Sequence, residues 1–164
     1  MKAKNLMIPV KKCLTPDNTI KDAVNILQAD RNGEEKRGSD VLPVLDQAGA
    51  IIGILSVHDI LKAVHPFYLS MAETNLGNFT WDGMMESLAK QAGNKTIGAF
   101  MTKDVATVQE DDSLMECIDL MIKKNVHQLP VLEEGGKITG MIYGKDIFYN
   151  ITAIMLNKET AEKP

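Results

Sequence analysis

Apolar residues along this chain follow two spacings in turn, and the same succession of spacings occurs twice. Leu114, Cys117, Ile118 and Met121 fall at i, i+3, i+4 and i+7, which places them on one face of a helix. Ser113 just before them, with Glu116 three residues on, makes a capping-box pattern, so the helix is predicted to begin there. Two strand-like runs follow, residues 129–132 and 138–143, joined by the hairpin signal Glu134-Gly135-Gly136. Asp146 opens a last predicted helix through Ile147, Phe148 and Ile151. Ahead of these elements, a short apolar run at 105–108 meets the polar, acidic stretch 109–112.

The first half repeats the order. Ile20, Ala23, Val24 and Leu27 hold the helix-face positions after Thr19, residues 42–45 mirror 129–132, and 51–56 mirror 138–143. Asp59-Ile60 mirrors Asp146-Ile147. Equivalent residues stand 94 apart as far as Leu27 and Met121, and 87 apart from Leu42 and Leu129 onward. The first copy therefore carries about seven extra residues in the polar run 28–40, and a match that survives a loop insertion marks a duplicated structural unit.

The remaining segments are predicted from turn and breaker residues. Residues 1–5 read as a lead-in helix or strap joining the first unit, 11–14 as a short strand, and 19–30 as a helix. Residues 31–39 form a loop with Asn32-Gly33 at its turn. A helix from Val57 should end near His65, because Pro66 disfavours helical geometry before it, and could resume over 67–72. Residues 73–95 have no counterpart; they carry Phe79, Trp81 and a predicted short helix from about Trp81. A packed linker helix and a lid or partner contact both fit these aromatics. Residues 96–101 should enter the second copy as a short helix. The division is thus 1–72, a linker at 73–95, a second unit at 96–157 and a tail at 158–164.

With these residues in view, each half resembles a cystathionine-β-synthase (CBS) domain, whose order is strand–helix–strand–strand–helix. The matching positions are Met101-Thr102, Val105-Ala106-Thr107-Val108, Leu129-Pro130-Val131, Gly140 and Asp146 in one copy. In the other they are Met7, Thr19-Ile20, Leu42-Pro43-Val44 and the run from Gly53 to Asp59. The resemblance implies an α/β (α+β) fold: two βαββα units packed about a pseudo-twofold axis into one stand-alone tandem module.

Composition narrows the function. The 164 residues are 45% apolar and 24% charged, ordinary for a soluble globular chain of one domain or two small ones. A net charge of −4 argues against a general nucleic-acid surface. No apolar run reaches the length of a membrane span and no signal-peptide pattern opens the chain, so no membrane partner is expected. Cys13 and Cys117 lack metal-ligand or CxxC spacing, and Cys117 on an apolar helix face reads as a buried reduced thiol. These features favour a cytoplasmic setting and no metal.

The candidate chemistry lies at the helix starts after the second hairpin strands. Asp59 is acceptor-only and can take hydrogen bonds from both hydroxyls of a ribose; Ser56 can cap the helix or donate to a ligand oxygen. The first amides of that helix suit a phosphate, and His58 adds a titratable donor. Ser56 with Asp59 is equally a plain N-cap pair, and the two roles are compatible. The resemblance implies a cleft completed across the copies. In it Ile54, Ser56, His58 and Asp59 would meet Ala106 and Val126 as purine walls and His127 and Gln128 near the phosphates. A second, weaker cleft would hold Tyr143, Lys145 and Asp146 with Lys12, Asp40 and Val41. There Tyr143 replaces a small hydroxyl residue and Asp40 would repel phosphate.

No catalytic set is evident: the three histidines lack ligand spacing, and no HExxH, GxSxG or Gly-rich phosphate loop occurs. The expected function is a non-enzymatic regulatory module sensing AMP, ADP or ATP, with no required cofactor, dimerising as its family does and acting on a separate target protein. The alternatives are a homodimeric interaction scaffold with vestigial clefts, or a binder of S-adenosylmethionine.

Overall fold

Three of the described helices open by the same exchange of hydrogen bonds between a hydroxyl residue and an acid three positions on. In this computed structural model, which describes residues 1–32, 40–66 and 82–156, they follow Thr19, Ser56 and Ser113. They are α2 (Ile20–Asn32), α3 (Val57–Val64) and α5 (Leu114–Lys124). Each acid accepts the backbone N–H of the cap residue while its own N–H donates to the cap hydroxyl, the reciprocal pattern predicted for Ser113 and Glu116. α5 ends at Asn125, which adopts the left-handed φ of 52° that Asn tolerates better than most residues. α3 ends at Val64 with His65 as its C-cap, where Pro66 stops it.

The other elements among the described residues are α1 (Ala3–Leu6), β1 (Ile8–Pro9), β2 (Val41–Leu45), β3 (Ile51–Ser56), α4 (Met84–Gly93), a 3-10 turn at Ile97–Ala99, β4 (Val108–Gln109), β5 (Gln128–Leu132), β6 (Ile138–Tyr143) and α6 (Gly144–Met155). Both predicted hairpins form, β2 with β3 and β5 with β6, each antiparallel and each with a register shift at its turn end. Their turns place Gly49 and Gly136 at φ of 83° and 80°, a conformation glycine reaches without steric cost. The helix expected from about Trp81 begins at Met84, and α2 runs two residues past its expected end. The expected turn residue Gly33, the resumed helix at 67–72, Phe79 and Trp81 lie outside the described residues.

The compact units are not the sequence repeats. One unit is Lys12–Asp104, and the other joins Met1–Lys11 to Val105–Pro164. In the second, the sheet runs β1-β6-β5-β4. Ile8 pairs with Met141 along one edge of the hairpin and Val108 pairs in parallel with Val131 along the other. The first unit has the same plan with single-residue bridges: Thr102 pairs with Ile54 and Leu14 with Val44. Equivalent backbone bonds repeat it, since the Ala3 N–H donates to the Asp112 carbonyl at 2.8 Å and the Ile97 N–H to the Asn18 carbonyl at 2.9 Å.

The two opening segments have therefore changed places. Residues 1–5, expected to join the first unit, pack on the second repeat, and residues 96–101, expected to enter the second copy, pack on the first. The physical reason is visible in the cores. Ala3 is fully buried beside Val108, Leu129 and Ile142, and Ile97 is fully buried beside Leu14, Leu42 and Leu55. Each segment fills an apolar pocket, and the residues that follow it, Ile8-Pro9 and Thr102, pair with the outer edge of a hairpin that would otherwise face water. The strand expected at 11–14 shrinks to the single bridge at Leu14. The helix-face residues bury as predicted: Ile20, Ala23 and Leu27 in one core, Cys117 and Met121 in the other.

Candidate functional site

β3 runs straight into α3, so Ser56 is both the last strand residue and the helix cap. Its backbone N–H and its hydroxyl both donate to Asp59 Oδ2, at 2.9 and 2.7 Å, and the Asp59 N–H donates to Ser56 Oγ at 3.2 Å. The Lys62 ammonium lies 3.3 Å from Asp59 Oδ1. Asp59 is 2% exposed, one of two buried acidic residues among the described positions, the other being Asp146 at 6%. A carboxylate out of water is costly unless it is paired and hydrogen-bonded, and here neutral donors serve one oxygen while a cation serves the other. The capping role of Ser56 and Asp59 is thus fully formed. Ile54, buried on β3, is fixed by reciprocal backbone bonds with Thr102 at 3.0 and 2.9 Å, and His58 is exposed beside the carboxylate.

The same locale recurs in the other unit with different side chains. Tyr143 caps α6 without a side-chain cap bond, and Asp146 sits in the first turn. The Lys145 ammonium lies 5.4 Å from the centre of the Tyr143 ring, a cation–π contact. Backbone pairing draws the residues before each hairpin to its helix start. The Gly144 N–H donates to the His127 carbonyl at 2.8 Å, and the Val57 N–H to the Asp40 carbonyl at 3.0 Å. Gln128 stands opposite Tyr143, and Val41 opposite Ser56.

One unit therefore gathers Asp40, Val41, Ser56, His58 and Asp59 at the head of α3, with Lys12 exposed two residues before the Leu14 bridge. The other gathers exposed His127, half-buried Gln128, Tyr143, Lys145 and Asp146 at the head of α6, and also contains half-buried Ala106 and Val126. The residue set expected around Asp59 is divided between the two units, and so is the set expected around Asp146. Lys62 belongs to neither expected set. Its signal in the sequence is the three-residue step from Asp59, which places two side chains on one helix face.

Among the described residues no group of three or more His, Cys, Asp or Glu side chains could hold a metal, and no helix is long and apolar enough to cross a membrane. Burial pushes the thiols of Cys13 and Cys117 up from their ordinary range.

Known proteins share this plan. The family described as CBS domain matches residues 3–66 and 97–153. Inosine-5'-monophosphate dehydrogenase of Nitrosopumilus maritimus (strain SCM1) is 27% identical over 160 residues, which are 98% of this chain and 26% of that protein. The chain spans 26%, 41% and 59% of the length of three curated relatives it matches. The crystal structure of CBSX2 in complex with AMP superposes with a TM-score of 0.64 at 18% identity, covering 96% of this chain and 98% of that one. The CBS domain pair of protein MJ0100, in complex with 5'-methylthioadenosine and S-adenosyl-L-methionine, superposes with a TM-score of 0.62 at 22% identity, covering 94% and 98%. These structural likenesses show the fold.

Proposed function

Because the chain belongs to the CBS domain family, we propose that it is a non-enzymatic regulatory module, cytoplasmic and dimeric, that binds an adenosine-type nucleotide at Asp59 and acts on a separate target protein. The observation that carries this reading is the buried Asp59 carboxylate, held at the head of α3 by Ser56. An acceptor-only group fixed at this helix start suits a ribose diol, and the exposed His58 imidazole next to it in the chain can donate to a phosphate. Ile54, Ser56 and His58 accompany it from the same unit. Ala106, Val126, His127 and Gln128 complete the set through the family resemblance alone. AMP in the CBSX2 complex and S-adenosyl-L-methionine in the MJ0100 complex support the adenosine class. Tyr143 in place of a small hydroxyl residue supports ranking the locale of Asp146, with Lys12, Asp40, Val41 and Lys145, as the weaker of the two.

The test is the melting temperature with AMP, ADP, ATP and S-adenosylmethionine. A ligand at one hundred times its dissociation constant stabilises the fold by about 2.7 kcal/mol. Asp59→Ala should abolish the shift, and Asp146→Ala should reduce it much less. A larger loss with Asp146→Ala would reverse the ranking. A second reading, an interaction scaffold with unused sites, is favoured by exposed Val57 and Leu61 on α3 and exposed Phe148, Tyr149, Ile154 and Met155 on α6. No shift with any of the four ligands would select it.

A further inference from the structure

Among the described residues Lys62 is the cation placed against the Asp59 carboxylate, and its side chain is 56% exposed whereas that of Asp59 is 3% exposed. As a stabilising contact the pair counts for little, because half the ion pair stands in water and the i,i+3 geometry is long. The other repeat supports this. The position equivalent to Lys62 is Tyr149, an uncharged residue 63% exposed, and α6 still forms with Asp146 buried in its first turn.

Its effect is on the charge that a ligand meets. Ser56 occupies Asp59 Oδ2 with two neutral donors, which leave the carboxylate charge in place. Lys62 at Oδ1 offsets the formal charge of that one carboxylate. An anionic group approaching the head of α3 would be repelled by an uncompensated carboxylate, whereas a neutral ribose would not. Resting on the nucleotide reading above, we propose that Lys62 is a specificity-determining residue: its ammonium cancels the Asp59 charge and so selects phosphorylated adenosine ligands over uncharged or cationic ones. Its flexible stem lets the ammonium turn from Oδ1 toward a phosphate while ribose hydroxyls take the vacated lone pair.

The experiment measures dissociation constants of AMP, adenosine and S-adenosylmethionine for the wild-type chain, Lys62→Met and Lys62→Arg by titration calorimetry, at low and high salt. Lys62→Met should weaken AMP about five- to tenfold, the effect of one nearby charge at intermediate dielectric. Adenosine should bind as before or more tightly, S-adenosylmethionine more tightly, and the AMP deficit of Lys62→Met should shrink at high salt, which screens the repulsion. Lys62→Arg should restore the preference for AMP. Equal weakening of AMP and adenosine would mean that Lys62 only positions Asp59 and would overturn the selectivity role, as would no change in either. Failure of the wild-type chain to bind any of the three would overturn this role, and failure with ADP and ATP as well would overturn the nucleotide reading itself.

Discussion

Met101 lies across Gly53 so closely that a Cβ on the glycine would stand 2.7 Å from the methionine sulfur and 3.0 Å from the Thr102 carbonyl oxygen. The sulfur could swing aside, but the carbonyl is fixed by its bond from the Ile54 N–H. Gly140 repeats the relationship in the other unit, with Met7 and the Ile8 carbonyl in the same roles at 2.7 and 3.0 Å. Gly53→Ala and Gly140→Ala should each cost about 1–3 kcal/mol, the usual range for overpacking. Denaturant unfolding checks this, and a neutral result at either glycine would show that the covering segment is loosely held.

The exchanged opening segment makes a second prediction. β1 covers the edge of β6, Val10 donates its N–H to the Thr139 carbonyl at 3.1 Å, and Ala3 fills the core of the second repeat. Deleting residues 1–11 should therefore raise amide exchange across residues 138–143 while residues 51–56 keep their protection. The opposite distribution would return the segment to the first repeat.

Both hairpins and the helices at 20, 57, 114 and 144 are legible in the sequence because their signals are local: a hydroxyl cap at the first three, an acid in the first turn of all four, and apolar steps of three and four. The exchange is not legible for a physical reason. Met7-Ile8 and Met101-Thr102 precede their repeats in the same way, and either could lie beside Gly53 or Gly140 as far as residue type decides. Only the path of the whole chain chooses between them. At the candidate site, Ser56 and Asp59 are readable as a cap and as a ligand pair from one motif. Lys62 gains meaning only once Asp59 is seen to be buried, because an i,i+3 lysine on an exposed helix face is otherwise ordinary.

Acid should weaken the charges that anchor the opening segment. Hydrogen bonds from the Lys2 and Lys4 ammonium groups, each 2.8 Å from Oδ1, hold the Asp111 carboxyl at about 2, below the usual 3.8. The backbone N–H groups of Thr19 and Ser113 lower Asp22 and Glu116 in the same direction. A carboxyl whose folded value is depressed binds its proton first in the unfolded chain, so its stabilisation is complete above about pH 4 and is lost as pH falls toward 2. Asp111→Asn should thus be less stable than the parent at neutral pH, with the gap closing through that window. A gap that stays constant down to pH 2 would remove Asp111 from the account.

The caps at Ser56 and Ser113 look alike in sequence and should differ in cost. Each hydroxyl accepts an N–H at 3.2 Å, from Asp59 and Glu116 respectively. Losing that bond costs about 1 kcal/mol at either helix. Glu116 is exposed, so water replaces whatever Ser113 supplied. Asp59 is 2% exposed, and the Ser56 hydroxyl also donates to its Oδ2 at 2.7 Å. Removing that donor leaves the buried charged oxygen with the Ser56 backbone N–H alone, a further cost of up to about 1 kcal/mol. Ser56→Ala should therefore destabilise the fold clearly more than Ser113→Ala in urea unfolding, and Ser56→Thr, which keeps the hydroxyl, should recover most of the difference. Equal costs for the two alanine variants would show that water reaches the Asp59 carboxylate as readily as it reaches Glu116.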